Sequence, residues 1–383
     1  MDLRKIADSL GISNYPADLE QATPVDVCDL ELIEHIHKEY NIFREHYEDV
    51  INGAKALKND PDRYIWAQYA CGYMMGLSLE EAKKFPLPME EGEGDILPLL
   101  IHLPMIPASA KVYAQRGFTE EEISKLMDAY YGCAKGIFNK TGTFGLDLRF
   151  HRWMLIYAKS LIFMHMGFNI EVLSFPEGAL VLKNKQTGEV LPLIWDESIH
   201  KSGNILGSAG YEGCCGAPFA TISETGDGFH GYCVRDCKCS LQEQFFPKDQ
   251  WECAIRPGDN VLSIHLPKGM DLSPENVDTA FQSVIEKAAV WFPDDPVKGL
   301  FCGSWLLDPA LGDLVGKGSK IAQFGDRFIR WPIKSDGQEV FRFVFSSKPD
   351  DLNELPENTT LERGLKKLYL SGGFIYGYRG VVL

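Results

Sequence analysis

The sequence predicts a protein that combines α+β and α/β features. A helical N-terminal domain precedes a mixed, largely antiparallel sheet with flanking helices. Before Gly167, apolar residues recur every three or four positions, as they do on one face of a helix. After Gly167, short apolar runs alternate with turn residues, which is the pattern of strands. From Asp259 onward, strand-like and helix-like segments follow one another. We therefore expect one domain over 1–166 and a second over 167–383, divided into a β-rich section at 167–258 and a strand–helix section at 259–383.

The N-terminal domain is predicted to contain five or six helices. One continuous apolar stripe over Leu30–Val50 predicts a single amphipathic helix. Asp60-Pro61 begins another helix, because proline fits the first helical turn. Thr119 and Glu122 form a capping-box pattern, and a last helix is predicted over Arg149–Met166.

The β-rich section is predicted to open with a hairpin. Lys185–Gly188 is a turn signal, and it lies between the apolar runs Ala179–Leu182 and Glu189–Ile194. These two runs are therefore expected to pair as antiparallel strands.

The strand–helix section is predicted to begin with a strand over Val261–Leu266 and a helix opened by Ser273-Pro274. The next strand is expected over Leu300–Leu307. Phe328–Ile333 and Val340–Phe345 flank a clear turn signal, so they are expected to form a second hairpin.

Composition and charge narrow the classes of partner. The 383 residues carry a formal net charge of −16, which disfavours nucleic acid and anionic membrane surfaces as partners. The first residues lack the apolar core of a signal peptide. Ten cysteines without such a signal indicate reduced thiols and a cytoplasmic location. A small-molecule substrate is therefore the expected partner. Composition and charge do not predict the oligomeric state.

Four segments in the C-terminal half carry a resemblance to a known family. They are Val261–Pro267, Cys302–Pro309, Ser319–Phe324 and Leu355–Arg363. Together they resemble a bacterial family of acyltransferase-domain-containing proteins, which joins a helical N-acyltransferase N-terminal domain to a GNAT-like C-terminal domain. The resemblance implies an enzyme that moves an acyl group from acyl-CoA or acetyl-CoA to an amine or another small nucleophile.

The turn after the strand at Val261 is the expected phosphate-binding site of a GNAT-like domain. Backbone N–H groups at the start of a helix favour an anion. The expected cofactor-binding residues are Leu266, Lys268, Gly269 and Ser273 around this turn, with Trp305 on the next strand. The turn supplies one glycine, without the usual GNAT glycine signature, and it carries Asp271, whose carboxylate repels phosphate. A non-catalytic GNAT-like protein that binds a ligand or partner is therefore the alternative.

Three residues at the ends of these strands are the catalytic candidates. His265 ends its strand and is a candidate general base; the alternative is a core histidine bonded to the backbone. Ser304 lies on the strand that is expected to open a slot for the pantetheine arm of CoA. Asp308 could orient a substrate amine, although aspartate before Pro309 is also a good helix cap.

The glycine-rich stretch in the β-rich section is a candidate substrate loop, with His200, Ser208, Tyr211 and Glu212 as its polar members. A second polar feature is the group of cysteines Cys214, Cys215, Cys233, Cys237 and Cys239. Cys237 and Cys239 are expected to share one face of a strand, with Cys233 able to approach them. Thiolates and the nearby imidazole of His230 are usual zinc ligands, which leaves zinc as an alternative. The spacing of the cysteines is not that of paired zinc knuckles, so no metal is expected.

Overall fold

A computed structural model describes residues 2–90, 92–213, 215–267, 269–294 and 296–383. The chain divides into two compact units, residues 1–164 and 165–383. The boundary falls inside the first strand of the chain, β1 (Ile162–His165).

The described part of the first unit contains nine α-helices before this strand, where the pattern predicted five or six. The helices are α1 (Leu3–Ser9), α2 (Leu30–Tyr40), α3 (Tyr47–Lys58), α4 (Pro61–Gly76), α5 (Leu79–Ala82), α6 (Ile96–His102), α7 (Met105–Gln115), α8 (Glu120–Thr141) and α9 (Leu148–Ala158). Most of their first turns, though not those of α3 and α7, are capped by side chains such as Asp29, Asp60 and Thr119, and Thr119 with Glu122 forms the predicted capping box.

Two helix predictions in this unit were too long. The apolar stripe from Leu30 continues into α3, but Asn41 has a φ of 52° and ends α2 in the left-handed conformation that asparagine tolerates. The last helix ends at Ala158, and Ser160 with a φ of 55° turns the chain into β1. Both breaks lie at residues whose backbone leaves the helical region while the apolar periodicity persists around them.

Helices α6 and α7 form the most apolar part of this unit. No single helix of the described residues is long and apolar enough to cross a membrane. The pair α6–α7 satisfies length and composition only when taken together, and it is bent by 43° at the break. Most residues of α6 are buried inside the protein.

The second unit contains five strands of a mixed sheet. They are β2 (Phe168–Ser174), β10 (Asn260–His265), β11 (Leu300–Ser304), β12 (Ile329–Pro332) and β13 (Tyr378–Val382). Their order is β2-β10-β11-β13-β12. The pair β10–β11 is parallel, and β2–β10, β11–β13 and β12–β13 are antiparallel.

The intervening chain forms a second sheet of seven strands, in which all described pairs are antiparallel. The predicted hairpin is confirmed, since Ala179 pairs with Ile194 and Lys183 with Val190. The strands are β3 (Ala179–Asn184), β4 (Val190–Ile194), β5 (Ile222–Glu224), β6 (Gly228–Arg235), β7 (Lys238–Cys239), β8 (Gln244–Pro247) and β9 (Trp251–Ile255).

The two sheets of the second unit pack on each other through a buried cluster. Val261 and Phe301 from the first sheet meet Val181, Ile194 and Ile255 from the second. The helices of this unit are α10 (Pro274–Trp291), α11 (Ala310–Val315), α12 (Lys320–Gly325), α13 (Glu339–Phe343) and α14 (Thr360–Leu370). Helices cover the other side of the first sheet, where Phe168 of β2 contacts Phe281 of α10.

Two predictions in this section were wrong. Val340–Phe345 is not a strand, because it contains α13, and adjacent Val340 and Phe341 are both buried in one cluster. A strand would have placed these neighbours on opposite faces. The strand predicted over Leu300–Leu307 ends at Ser304, whose hydroxyl accepts the N–H of Leu306 and starts a short 3-10 turn.

Candidate functional site

The parallel strands β10 and β11 separate toward their C-terminal ends. They pair at Leu262–Leu300 and Ser263–Phe301, and no register continues beyond these two pairs. On the outer sides the pairing persists, so that His265 still pairs with Asn169 of β2 and Ser304 with Tyr378 of β13. Each strand is therefore held by its outer neighbour, while among the described residues the inner edges beyond Ser263 and Phe301 are not paired with each other. We call this unpaired stretch between the ends of β10 and β11 the strand gap.

Helix α10 connects the two strands, and its N-terminus follows the strand gap. Ser273 is its N-cap residue and Pro274 occupies the first turn. The carboxylate of Asp271 accepts hydrogen bonds from the N–H and hydroxyl of Ser273, at 2.9 and 2.8 Å. Lys320 donates to the same carboxylate at 2.9 Å, and with Ser273 it lowers the pKa of Asp271 to about 2. A stable negative charge therefore lies at the place where a phosphate was predicted.

The predicted cofactor-binding residues lie on this connection and on the opposite strand. Leu266 follows β10 directly, and Gly269 has a φ of +83° with no atom within 4 Å of an added β-carbon, so its backbone is approachable. Trp305 begins the turn after β11 and is buried. Lys268 lies outside the described residues.

His265 has a carboxylate partner that the sequence analysis did not identify. Its Nε2 lies 2.8 Å from Oε2 of Glu171 on β2. Glu171 pairs with Ser263 across the β2–β10 ladder, which places its side chain on the face that carries Ser263 and His265. The side chain of Glu171 is 5% exposed and that of His265 is 33% exposed. The pair thus joins a buried carboxylate to an imidazole that solvent reaches.

Ser304 and Asp308 occupy structural positions at the end of β11. Both carboxylate oxygens of Asp308 accept backbone N–H groups, from Ala310 at 2.9 Å and from Tyr376 at 2.7 Å. Asp308 is 4% exposed, and this burial raises its pKa to about 6. The N-cap of α11 is Pro309 rather than Asp308, but the Asp308 carboxylate still accepts the N–H of the first helical residue and ties the start of α11 to the segment before β13.

The predicted substrate loop packs beside the same end of β11. The hydroxyl of Ser208 accepts the N–H of Ser335 at 3.1 Å, and Tyr376 donates its hydroxyl to the carbonyl of Ala209 at 2.9 Å. The rings of Tyr211 and Tyr376 lie 5.5 Å apart.

The two remaining loop residues have local partners. Nδ1 of His200 lies 2.7 Å from the hydroxyl of Ser202, and its ring lies 5.0 Å from that of Tyr211. The exposed carboxylate of Glu212 accepts the N–H of Gly210 at 2.8 Å. The loop is thus built from short turns, and Glu212 is the charged, exposed residue among the four predicted ones.

Two cavities flank these residues. One of about 350 Å³ begins at the end of β11 and is lined by charged side chains, among them Asp308, Lys317 and Arg330. The other, of about 370 Å³, lies between Gly207 of the substrate loop and the segment that contains Lys334 and Glu339. His265 lines neither of these cavities.

The cysteines do not converge. Cys233 belongs to the cluster inside the second sheet, whereas Cys239 belongs to the cluster between the sheets. Cys237 lies in the turn before β7 with a φ of 61°, so the prediction that it shares a strand face with Cys239 was wrong. Cys214 lies outside the described residues. Among the described residues, no three His, Cys, Asp or Glu side chains are grouped to hold a metal ion.

A helical unit followed by a mixed sheet whose central parallel strands diverge defines a GNAT-like architecture. The family model of the GNAT-like C-terminal domain matches residues 185–382, which is more than half of the chain. The chain therefore belongs to this family, and the resemblance inferred from the sequence is confirmed.

Solved structures share this fold over the whole chain. A crystal structure of an acyltransferase in complex with decanoyl-CoA and teicoplanin has a TM-score of 0.64 at 14% identity, covering 100% of this chain and 99% of that chain. A structure of an acyltransferase in complex with CoA and 10C-teicoplanin has a TM-score of 0.65 at 15% identity, with the same coverage of 100% and 99%. No curated protein matches the sequence.

Proposed function

We propose that the protein is an acyltransferase that moves an acyl group from acyl-CoA to an amine or another small nucleophile. The strand gap is the observation that carries this proposal. Two parallel strands that are each held on the outer side present backbone N–H and C=O groups to an extended ligand entering between them. The pantetheine arm of CoA is such a ligand, because it contains two amides. Structures with the same fold were solved with decanoyl-CoA or CoA.

The phosphates of CoA are assigned to the turn between β10 and α10. Gly269 permits close approach of the backbone there, and Lys320 reaches the turn through its ion pair with Asp271. The Lys320 ammonium can turn to a phosphate when one binds, since its 62% exposed side chain is not enclosed. The Asp271 carboxylate then opposes binding of the CoA phosphates, and Asp271→Asn is expected to strengthen CoA binding.

His265 is assigned the role of general base. The amine nitrogen attacks the thioester carbonyl carbon and forms the C–N bond, while its proton passes to the imidazole. The C–S bond then breaks, and the CoA thiolate takes up the proton from the imidazolium. Proton transfer of this kind contributes about 10²–10⁴-fold to rate.

The acceptor is assigned to the substrate loop. Tyr211 and Glu212 lie at the end of β11, which is the end where the strand gap opens. Ser208 supports the loop rather than the ligand, because its hydroxyl already bonds the backbone of Ser335. The cytoplasm, where acyl-CoA is available and thiols stay reduced, is the compartment we expect.

Calorimetry with CoA, acetyl-CoA and decanoyl-CoA tests the binding step, and chromatography of released CoA with a panel of amines tests transfer. His265→Ala is expected to lower transfer by about 10²–10⁴-fold with binding retained. His230→Ala, in the second sheet, is the matched control.

Gly303→Val should weaken acyl-CoA binding. A β-carbon at Gly303 meets only atoms of Phe301 and Arg379, at 3.9–4.0 Å, so the valine methyls fit there and add bulk beside the strand gap. Absence of binding by every CoA compound would overturn the proposal.

The position of Asp271 favours the alternative of a GNAT-like binding protein without catalysis. Its carboxylate lies just before α10 and accepts the N–H of the N-cap residue Ser273, beside the helix start where a phosphate would bind. Binding of a small molecule or protein together with no turnover of any acyl-CoA would establish this alternative.

A further inference from the structure

Glu171 is an unusual residue for the centre of a sheet. Its neighbours in β2, Ile170 and Val172, are buried and apolar, and Glu171 itself is 4% exposed. One carboxylate oxygen, Oε2, lies 2.8 Å from Nε2 of His265. The other, Oε1, is buried and has no hydrogen-bond partner among the described residues.

This arrangement is a poor one for stability alone. A buried carboxylate loses its hydration, and it recovers the loss only when both oxygens find donors. Here a single donor faces two oxygens, and that donor, His265, sits at the mouth of the strand gap. Buried polar groups left unsatisfied in this way mark places where function is served at the expense of stability.

We propose that Glu171 is the positioning residue for His265, an inference that rests on the proposed function. A carboxylate can only accept a hydrogen bond, so the contact fixes the proton of the neutral imidazole on Nε2. The basic lone pair is then on Nδ1, which is the nitrogen that takes the proton of the amine. The adjacent negative charge of Glu171 stabilises the imidazolium that forms. Because Oε1 has no hydrogen bond from the described residues to offset this charge, the electrostatic attraction between the carboxylate and the imidazolium is strong.

The substitution Glu171→Gln separates this role from a structural one. The amide is isosteric and its oxygen still accepts a hydrogen bond, but it has no charge. Transfer should fall by about 10²-fold or more, with acyl-CoA affinity unchanged. In the His265→Ala background the same substitution should cause no further loss, because the two side chains act as one unit. Glu252→Gln, an exposed glutamate on β9, is the matched control and should leave transfer unchanged.

Nuclear magnetic resonance of ring-labelled histidine gives a readout that does not depend on turnover. In the wild-type protein the neutral His265 ring, assigned through His265→Ala, should be the Nε2–H tautomer. In Glu171→Gln a substantial Nδ1–H population should appear, since the amide can also donate. Glu171→Asp retains the charge and should restore part of the transfer rate. The melting temperature of Glu171→Gln should be equal to or above that of the wild type.

The outcomes distinguish the two proposals. An active wild-type enzyme in which Glu171→Gln leaves the tautomer and the rate unchanged overturns the positioning role alone. A lowered melting temperature with equal losses in the wild-type and His265→Ala backgrounds also overturns it, because it identifies a structural residue. A wild-type protein that binds no acyl-CoA overturns the proposed function, and with it the catalytic meaning of the pair.

Discussion

Acidification should loosen the helical unit through two buried histidines. His102 on α6 and His151 on α9 are 0% and 1% exposed, and their rings share a hydrogen bond of 3.0 Å between Nε2 and Nδ1. The hydroxyl of Tyr130 lies 3.3 Å from the other nitrogen of His102. Burial lowers the pKa of His102 well below its usual value, and burial lowers that of His151 from 6.5 to about 3.

The size of the effect follows from proton linkage. Between about pH 3 and pH 6.5 the unfolded chain binds a proton at His151 that the folded chain does not, so stability falls as pH falls. Full stability is present above pH 6.5, and the slope below it approaches about 1.4 kcal/mol per pH unit for one imidazole. Moving from about pH 7 to about pH 5 therefore costs about 2 kcal/mol through His151 alone. His102 adds a loss of the same sign.

Hydrogen exchange with mass spectrometry measures this locally. Peptides from α6 and α9 should show opening free energies that decrease between about pH 7 and pH 5 after correction for the intrinsic exchange rate. The double variant His102→Gln/His151→Gln should flatten this pH dependence, because neither glutamine titrates. His35→Gln, at an exposed position on α2, is the control and should retain the wild-type slope.

Identical slopes in the wild type and the double variant would refute the reasoning. That result would mean that the imidazoles are hydrated or charged in the folded protein. A second sign of failure would be a titrating imidazole resonance from either residue in the native state near about pH 6.

Two further predictions concern the same unit. The Lys159 ammonium donates to three backbone carbonyls at the end of α4, at 2.6–3.1 Å. Lys159→Met should therefore lower the free energy of unfolding, measured by urea titration, by about 1–3 kcal/mol. The control Lys111→Met, at an exposed position, should change the free energy of unfolding little. Gly145→Ala should abolish soluble expression, because its β-carbon would lie 2.1 Å from the carbonyl oxygen of Asp95. The control Gly132→Ala on α8, where an added β-carbon has no atom within 4 Å, should raise the free energy of unfolding by about 0.5–1 kcal/mol and with it the melting temperature. A soluble, folded Gly145→Ala variant would contradict the packing described for Gly145.

Local patterns predicted most of the fold. The switch from helical to strand periodicity near Gly167, the capping box at Thr119 and the hairpin at Lys185–Gly188 all rest on neighbouring residues, and the structure contains them. The failures came where tertiary packing decides between conformations. Val340 and Phe341 have high strand propensity, but both side chains enter the cluster with α14, which only a helical turn allows.

The candidate site was less accessible from the sequence. His265 was identified because it ends an apolar strand, yet its partner lies 94 positions earlier in the chain, on a strand whose register no local pattern fixes. One signal was present, since Glu171 is a charge inside the apolar run Ile170–Leu173. The divergence of β10 from β11 had no local signal, because it depends on the outer pairings to β2 and β13.

The strand order of the first sheet has a consequence for synthesis of the protein. β13 is made after all the other strands of this sheet, yet it lies between β11 and β12. A nascent chain that has been made only as far as β12 therefore exposes one unpaired edge on β11 and one on β12, because both pair with β13. Unpaired strand edges are prone to pair with other chains. Chains interrupted before Tyr378 should accumulate as aggregates or chaperone-bound species. The outer support of β11, and with it the strand gap, arises only once β13 has been made.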